Sequence, residues 1–326
     1  MVQGQLHNLY KGDLHCHSRH SGPAKHLRFL RCRDCYSQPL DVYRAAKRRG
    51  MDLVTITDHD SIDGCLELLD RLGDLPDFII GEEVSAYFPA FDHTVHIGVY
   101  GLNEAQHREI ARLRVNAEEL IPYLRENNLL FVLNHFFHDF AYGARVREFT
   151  ERMVQLFDVW EVRNGTQLRE HNTFVEALLQ RYRKNGRRLS AVGGSDSHTL
   201  RRLGHTYTAS PARNRQEFLE DIRAGRTLVV GRHANHLVLA ADIYGVVLRY
   251  YPTVLSLDNG EFPPLQRLKN FFLSILAGPF LIAPYVVAVR HSRIQRARME
   301  LFSRLFPGNQ PPVFPPPTRQ FSADAQ

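Results

Sequence analysis

Apolar and polar positions divide the first two thirds of the chain into short apolar runs separated by amphipathic stretches. The runs are bounded by Gly, Asp or Asn, a pattern that predicts strands. Seven strands are predicted, over residues 12–18, 52–58, 77–86, 94–101, 129–135, 157–164 and 189–196. Helical spacing predicts helices over residues 37–50, 104–128 and 174–186, the first with Ser37 as N-cap and Gly50 at its end.

Strands that alternate with helices predict an α/β fold, in which right-handed crossovers join the strands of a parallel sheet. The pattern alone leaves open whether this sheet is open or closed into a barrel. The chain has 326 residues, of which 44% are hydrophobic and 23% charged, so it can bury a full core. The sequence MVQGQLHNLYKGD at the start has no basic region followed by an apolar run, which predicts a cytoplasmic protein.

The last quarter of the chain has a different pattern. Residues 271–289 carry no charge and are flanked by basic residues. This pattern allows either a helical hairpin packed on the barrel or on a partner chain, or a segment that associates with the cytoplasmic face of a membrane. Gly278, Pro279 and Pro284 would kink or break a single spanning helix. We therefore predict a domain over residues 1–235, an extension over 236–306 and a disordered Pro-rich tail over 307–326.

The formal net charge of +6 permits nucleic acid, phosphorylated compounds or anionic lipid as partners without selecting among them. There is no run of Lys and Arg long enough to predict binding to duplex nucleic acid. The pair Cys32 and Cys35 has the spacing of a zinc or redox motif, but no second such pair exists, so ordinary loop cysteines are the simpler interpretation.

Groups that can bind metals recur where the predicted strands end. In an extended segment, His15 and His17 point to the same side. The carboxyl ends of parallel strands gather at one edge of a sheet, which is where active sites form. A single histidine in such a place is usually a core or surface residue, but the recurrence predicts a shared site. Its candidate members are His15, His17, Asp58, His59, Asp60, Glu82, Glu83, His96, His135, Asp196 and His198.

The ordered motifs DLHCHS, ITDHDSIDG, GEEVSA, HIGVYG, LNH and GGSDSH resemble those of the PHP (polymerase and histidinol phosphatase) superfamily of metal-dependent phosphoesterases. The resemblance covers about residues 10–230. It implies a distorted barrel of seven strand–helix units, with two or three divalent ions of zinc, manganese or iron at the strand ends.

The resemblance also implies a distribution of ligands. It gives a first metal His15, His17, Glu83 and Asp196, a second metal Glu83, His96 and His135, and a third metal His59 and His198. The Gly-x-Glu pattern selects Glu83, and strand alternation sends Glu82 to the opposite face. Asp13 and Asp58 are predicted to orient imidazoles. Gly22 and Pro23 stand where relatives have a further ligand, so the third site depends on a substitute such as His20 or His26.

We expect hydrolysis of a phosphomonoester or short nucleotide by a metal-activated hydroxide, with Glu83, Asp196 and His198 as the catalytic residues. Arg19, Arg163 and Asn164 are predicted to bind substrate. Aromatic and basic loops suggest that a base stacks on Phe136, Phe137 or Tyr142, with phosphates at Arg145 or Arg147. The alternative is a PHP module that binds metal without catalysis and acts in structure or regulation.

Overall fold

The computed structural model describes residues 8–24, 32–138, 145–255, 263–276 and 282–306. The described strands form one nine-stranded sheet in the order β7-β6-β5-β4-β3-β2-β1-β8-β9. They are β1 (Tyr10–Asp13), β2 (Leu53–Ile56), β3 (Phe78–Phe88), β4 (His93–Tyr100), β5 (Leu130–Leu133), β6 (Val159–Asn164), β7 (Ser190–Gly194), β8 (Thr206–Ser210) and β9 (Leu228–Gly231).

Ten α-helices are described. They are α1 (Pro39–Arg48), α2 (Asp63–Leu72), α3 (Glu104–Leu113), α4 (Ala117–Glu126), α5 (Val146–Leu156), α6 (Arg169–Lys184), α7 (Arg215–Ala224), α8 (His236–Leu255), α9 (Pro264–Leu276) and α10 (Ala283–Leu305). Two helix predictions need correction. Gln38, not Ser37, is the N-cap of α1. Asn116 caps a new helix through the backbone N–H of Glu118, which splits the predicted helix 104–128 into α3 and α4.

Each of the seven predicted stretches contains a strand, although β1 ends at Asp13 and the predicted strand 12–18 therefore extends too far. The fold is an α/β barrel whose sheet is nearly closed. The sheet is mixed, because β4 is antiparallel to both β3 and β5, and β8 is antiparallel to β1 and β9. The two last strands were not predicted from the sequence. They bring β8 close to β7, where the Thr208 hydroxyl donates to the Gly193 carbonyl and accepts from the Gly193 N–H. These hydrogen bonds connect β7, at one end of the strand order, to β8, which is next to the other end.

The C-terminal helices pack on the barrel and on one another. Helix α10 packs against α6 and α8, and α9 packs against α8. Near the end of α10, the ring of Phe302 is fully buried and lies 5.1 Å from the ring of Phe137 and 6.4 Å from that of Phe174. The last turns of α10 therefore belong to the main hydrophobic core, which also includes Met299 and Phe306.

The apolar segment 271–289 is not one continuous helix in the described residues. Its beginning completes α9 and its end opens α10, while residues 277–281, with Gly278 and Pro279, lie outside the description, as does the predicted tail 307–326. Pro284 fits in the first turn of α10, where its missing N–H costs no hydrogen bond. Among the described residues, only the stretch His236–Val254 of α8 has the length and mean hydropathy of a membrane span, a property that some helices of soluble proteins share.

Candidate metal centre

Strands β3 and β4 and the segments that follow β1, β2, β5 and β7 bring six imidazoles and two carboxylates together. Two of the imidazoles, His15 and His17, lie in the segment just after β1, where side chains alternate between two sides as they do in a strand. Leu14 and Cys16 are buried in apolar clusters, while His15 and His17 point to the other side, toward Glu83 and Asp196. The remaining histidines are His96, which lies within β4, and His59, His135 and His198, which follow β2, β5 and β7.

Glu83 lies at the middle of this arrangement and is completely buried. Its Oε1 atom is 3.1 Å from His15 Nε2, 3.0 Å from His135 Nε2 and 3.3 Å from His96 Nδ1. Its Oε2 atom is 2.9 Å from His59 Nδ1 and 3.7 Å from His17 Nε2. Five imidazoles thus surround the two oxygens of one carboxylate, which is the geometry of a carboxylate that bridges two cations.

Glu82, the neighbouring candidate, points the other way. Its Oε2 atom accepts from the ring of His107 on α3 at 2.8 Å, although the carboxylate is also buried. The difference follows from the pleat of β3, which sends successive side chains to opposite faces. Of the two adjacent glutamates, only Glu83 faces the histidines.

Ligand atoms within 4.8 Å of one another form four overlapping groups: His15, His17 and Asp196; His15, Glu83 and His135; His59, Glu83 and His96; and His17, His59 and His198. The first group lies within the ligand set that the resemblance implies for the first metal, whereas the second group joins His15 of that set to Glu83 and His135 of the set for the second metal. His59 departs from the implied distribution, because its Nδ1 atom lies beside Glu83 and His96 in addition to its place near His198.

The donor atoms of this centre are unsatisfied in a way that fits cations. Four buried polar atoms, His15 Nε2, His17 Nε2, His59 Nδ1 and Glu83 Oε2, lie in close contact with other groups of the centre but make no well-directed hydrogen bond. Buried polar atoms without partners are costly unless another group satisfies them. A set of imidazole nitrogens and carboxylate oxygens without thiolates suits zinc, manganese or iron.

A further carboxylate, Asp34, completes the outer part of the centre. Its Oδ2 atom lies 3.0 Å from His198 Nε2 and 3.4 Å from His59 Nε2. Asp34 was missed because it lies in a loop, twelve residues beyond the Gly22 position at which a ligand was sought. His20 instead contacts Glu67 at 2.7 Å, and His26 lies outside the described residues.

Electrostatics at the centre reflect the crowding of carboxylates and imidazoles. Burial by itself would lower the pKa of His59, but the Glu83 and Asp34 carboxylates raise it to about 10. Burial likewise opposes the charge on His198, and Asp34 raises the pKa of this imidazole to about 9. Burial and the neighbouring His198 lower the pKa of His17 to about 3. A metal would therefore displace a proton from His59 or His198, whereas the His17 imidazole is already neutral.

The part of the chain that contains Asp196 and His198 is similar to a known protein family. Residues 169–227, which carry Asp196 and His198, match the model of the PHP-associated family. Over these residues the chain is similar to the PHP-associated family, in agreement with the motifs that resemble the PHP superfamily.

Individual proteins that this chain resembles are distant from it. An uncharacterised protein of Methanocaldococcus jannaschii is 39% identical over 57 residues, which span 18% of this chain and 33% of that protein. A two-domain protein from Bacteroides vulgatus, containing a predicted PHP-like metal-dependent phosphoesterase, has a TM-score of 0.47 and 19% identity, and the match covers 74% of this chain and 71% of that one. PsfC from Pseudomonas syringae has a TM-score of 0.46 and 19% identity, with coverages of 76% and 100%.

Two hydrogen-bonded systems orient imidazoles of the candidate metal centre. Glu161, which was not foreseen from the sequence, accepts from His15 Nδ1 at 3.0 Å and from the His135 backbone N–H at 3.0 Å. Ser21 donates to Asp58 at 2.8 Å, so its oxygen accepts from His17 Nδ1 at 2.8 Å. Both arrangements place the proton on Nδ1 and leave Nε2 free for a metal.

The predictions for Asp13 and Asn164 need correction in detail. Asp13 accepts from backbone N–H groups of Ser195 and Gly204 at 2.8 and 2.7 Å, so it holds the loop that carries Asp196 rather than an imidazole. Asn164 donates to Glu161 at 2.9 Å and to Asp196 Oδ2 at 3.1 Å. It therefore positions two carboxylates of the candidate metal centre, a role that was not predicted from the sequence.

The Asp196 backbone adopts a left-handed conformation with φ of 50°, which is uncommon for a residue other than Gly. Just before it, Gly194 leaves no room for a side chain, since a Cβ there would lie 2.3 Å from the Cβ of His15. The strand and loop around Asp196 are therefore shaped by the approach of His15, and the Asp196 side chain is held toward His15 and His17 at 3.5 and 3.2 Å.

The predicted substrate arginines both contact glutamates on neighbouring helices. Arg19 is 2.8 Å from Glu67, and Arg163 is 3.2 Å from Glu176. Phe136 and Phe137 are buried in the core and are therefore unavailable for stacking with a base, and Tyr142 lies outside the described residues. Arg145 pairs with Glu148 at 2.8 Å.

The four cysteines are free thiols and are buried. Cys35 Sγ donates to the carbonyl of His198 at 3.1 Å, and burial raises the pKa of Cys35 to about 12. Such a thiol is a poor nucleophile or redox group at neutral pH. The Cys32 and Cys35 motif therefore stabilises the loop between β1 and α1 in this structure, which favours the interpretation as ordinary loop cysteines.

Proposed function

We propose that this chain hydrolyses a phosphomonoester or a short nucleotide in a metal-dependent reaction. The observation that carries the proposal is the placement of Glu83, whose two oxygens are surrounded by five imidazoles within 3.7 Å. A carboxylate so placed fits two divalent cations at once. Zinc, manganese and iron all suit the donor set.

Divalent cations bound here would supply a deprotonated water as nucleophile and would neutralise charge on the phosphoryl oxygens. Other residues of the chain orient the candidate ligands for this chemistry. Glu161 and Ser21 fix the tautomers of His15 and His17, and Asn164 and Thr166 hold the Oδ2 atom of Asp196 at 3.1 and 2.9 Å. The Oδ1 atom of Asp196 then faces the ligand nitrogens, as its predicted catalytic role requires.

An anionic substrate also needs cationic side chains of the protein. Arg19 and Arg163 remain our candidates, because each keeps a buried Nε atom without a hydrogen-bond partner in addition to its contact with a glutamate. A phosphate could use this donor capacity, and a guanidinium presents it in a planar geometry that matches phosphate.

The test is hydrolysis of a panel of phosphomonoesters and short oligonucleotides by protein loaded with manganese, zinc or iron. We expect metal-dependent turnover that Asp196→Asn lowers by more than the roughly 10–100-fold cost of losing an outer partner of a metal ligand. Arg108→Gln, a change at an exposed residue of α3 outside the centre, serves as the control and should retain full activity. A protein that binds its metals but hydrolyses none of these compounds would support the alternative, a PHP module without catalysis.

A further inference from the structure

Large exposed apolar side chains are concentrated in the C-terminal helices. Of the fifteen that the described residues expose, twelve lie between Leu237 and Ile294. Soluble proteins expose single apolar side chains commonly, but they rarely expose so many in one region without a partner. The C-terminal region therefore has a surface that something else covers.

Helix α9 shows the pattern most clearly, because its outward face is the apolar one. Leu265, Leu268, Phe272 and Ile275 are 79%, 53%, 55% and 59% exposed. Their spacing of three and four residues places them along one side of the helix. By contrast, the polar Asn270 is fully buried. A helix that packs only on its own protein has the opposite arrangement.

The charges carried by this part of the chain indicate what would cover the outward face of α9. Residues 262–299 contain six basic residues and no acidic residue. They are Arg267, Lys269, Arg290, Arg293, Arg296 and Arg298, of which Arg296 is 2.9 Å from Glu170. A symmetric contact with a second copy would place this cationic segment against itself, which is electrostatically unfavourable. An anionic lipid surface offers the complementary charge together with an apolar layer.

We propose that the outward face of α9, defined by Leu265, Leu268, Phe272 and Ile275, lies in the surface of an anionic membrane. The helix lies in the plane of the interface and does not cross the bilayer. The neighbouring α8, despite its apolar composition, is held to the barrel, since Asp242 pairs with Arg202 at 3.8 Å and Gly245 meets Thr199 so closely that a Cβ would lie 3.0 Å from its methyl carbon. The catalytic barrel thus stays in water at the membrane surface, which for the predicted cytoplasmic protein is the cytoplasmic face.

The experiment is cosedimentation of the full-length protein with vesicles of phosphatidylcholine alone or mixed with phosphatidylglycerol. We expect binding to the anionic vesicles that weakens as salt is raised. The double change Leu268→Glu with Phe272→Glu should lower the vesicle affinity by about tenfold or more, since it adds charge to the face that meets lipid. The control is Val115→Glu, which adds the same charge at a side chain that is 67% exposed between α3 and α4.

Circular dichroism and metal content check that both variants fold, and the same samples are measured by light scattering. Equal vesicle binding by the double variant and the control would overturn the proposal, as would absence of binding by the unchanged protein. A dimer that the double variant disrupts, without vesicle binding, would assign the face to a second copy instead. These outcomes are independent of phosphoesterase activity.

Discussion

Asp34 Oδ2 lies 3.0 Å from Nε2 of His198, so a loop residue brings a carboxylate to the outer part of the metal centre. The same oxygen lies 3.4 Å from His59 Nε2. His20, the substitute that the sequence suggested, is engaged by Glu67. We therefore propose Asp34, His59 and His198 as ligands of a third metal.

Replacing Asp34 tests this assignment. Asp34→Asn should reduce the metal content of purified protein by one equivalent, because an amide oxygen is a weaker ligand than a carboxylate. His20→Ala is the matched control and should leave metal content unchanged. Metal analysis by mass spectrometry distinguishes the two variants, and equal losses would contradict the assignment.

The two adjacent glutamates of β3 provide a second test. Glu83→Gln should release more metal than Glu82→Gln, since Glu83 contacts five imidazoles whereas Glu82 contacts His107. Both residues are buried, so the pair also controls for the effect of neutralising a buried carboxylate. Equal retention of metal in the two variants would show that Glu83 does not bridge two cations.

Glu161 is expected to act through His15. Glu161→Gln should weaken metal binding by about 10-fold or more, because a neutral amide orients the His15 imidazole less strongly than a carboxylate does. Titration with a competing chelator measures the change. Glu176→Gln, at a glutamate that contacts Arg163 on the outside of the barrel, should leave the affinity unaltered.

Metal affinity should rise with pH. The pKa values of His59 and His198 in the metal-free protein are raised to about 10 and 9, so at neutral pH both imidazoles are protonated and each must lose its proton before it binds a metal. Lowering the pH therefore weakens binding, and raising it toward 9 strengthens binding. Calorimetry in buffers of different ionisation enthalpy should show proton release at neutral pH, and affinity unchanged between about pH 6 and 8 would contradict this.

Two phenylalanines of the C-terminal helices should differ in their contribution to stability. Phe302→Ala should lower the free energy of unfolding by about 3–5 kcal/mol, because it leaves a cavity beside Phe137 and Phe174. Phe272→Ala, at a ring that is 55% exposed, should change it by no more than about 0.5 kcal/mol. Urea denaturation measures both. The comparison also indicates that deleting residues 265–326 would damage the barrel core, so point substitutions are the better probes of the extension.

The sequence by itself determined much of the barrel and most of its ligands. Local rules were sufficient for these features. Apolar runs predicted the seven strands. Period-two alternation predicted that His15 and His17 face the opposite side from Leu14 and Cys16, and that Glu83 faces the opposite side from Glu82. Because the carboxyl ends of neighbouring strands meet, six histidines distant in the sequence could be expected at one place.

Only the tertiary structure decided the contacts between residues that no local rule connects. Asp34 lies in a loop without periodicity and reaches His198 across 164 positions of the chain, while Glu161 reaches His15 across 146. The antiparallel pairing of β8 with β1 and the packing of Phe302 into the core likewise depend on where the chain returns in space. Sequence patterns indicate which side of an element is apolar, but its partner is selected by the packing of the whole chain.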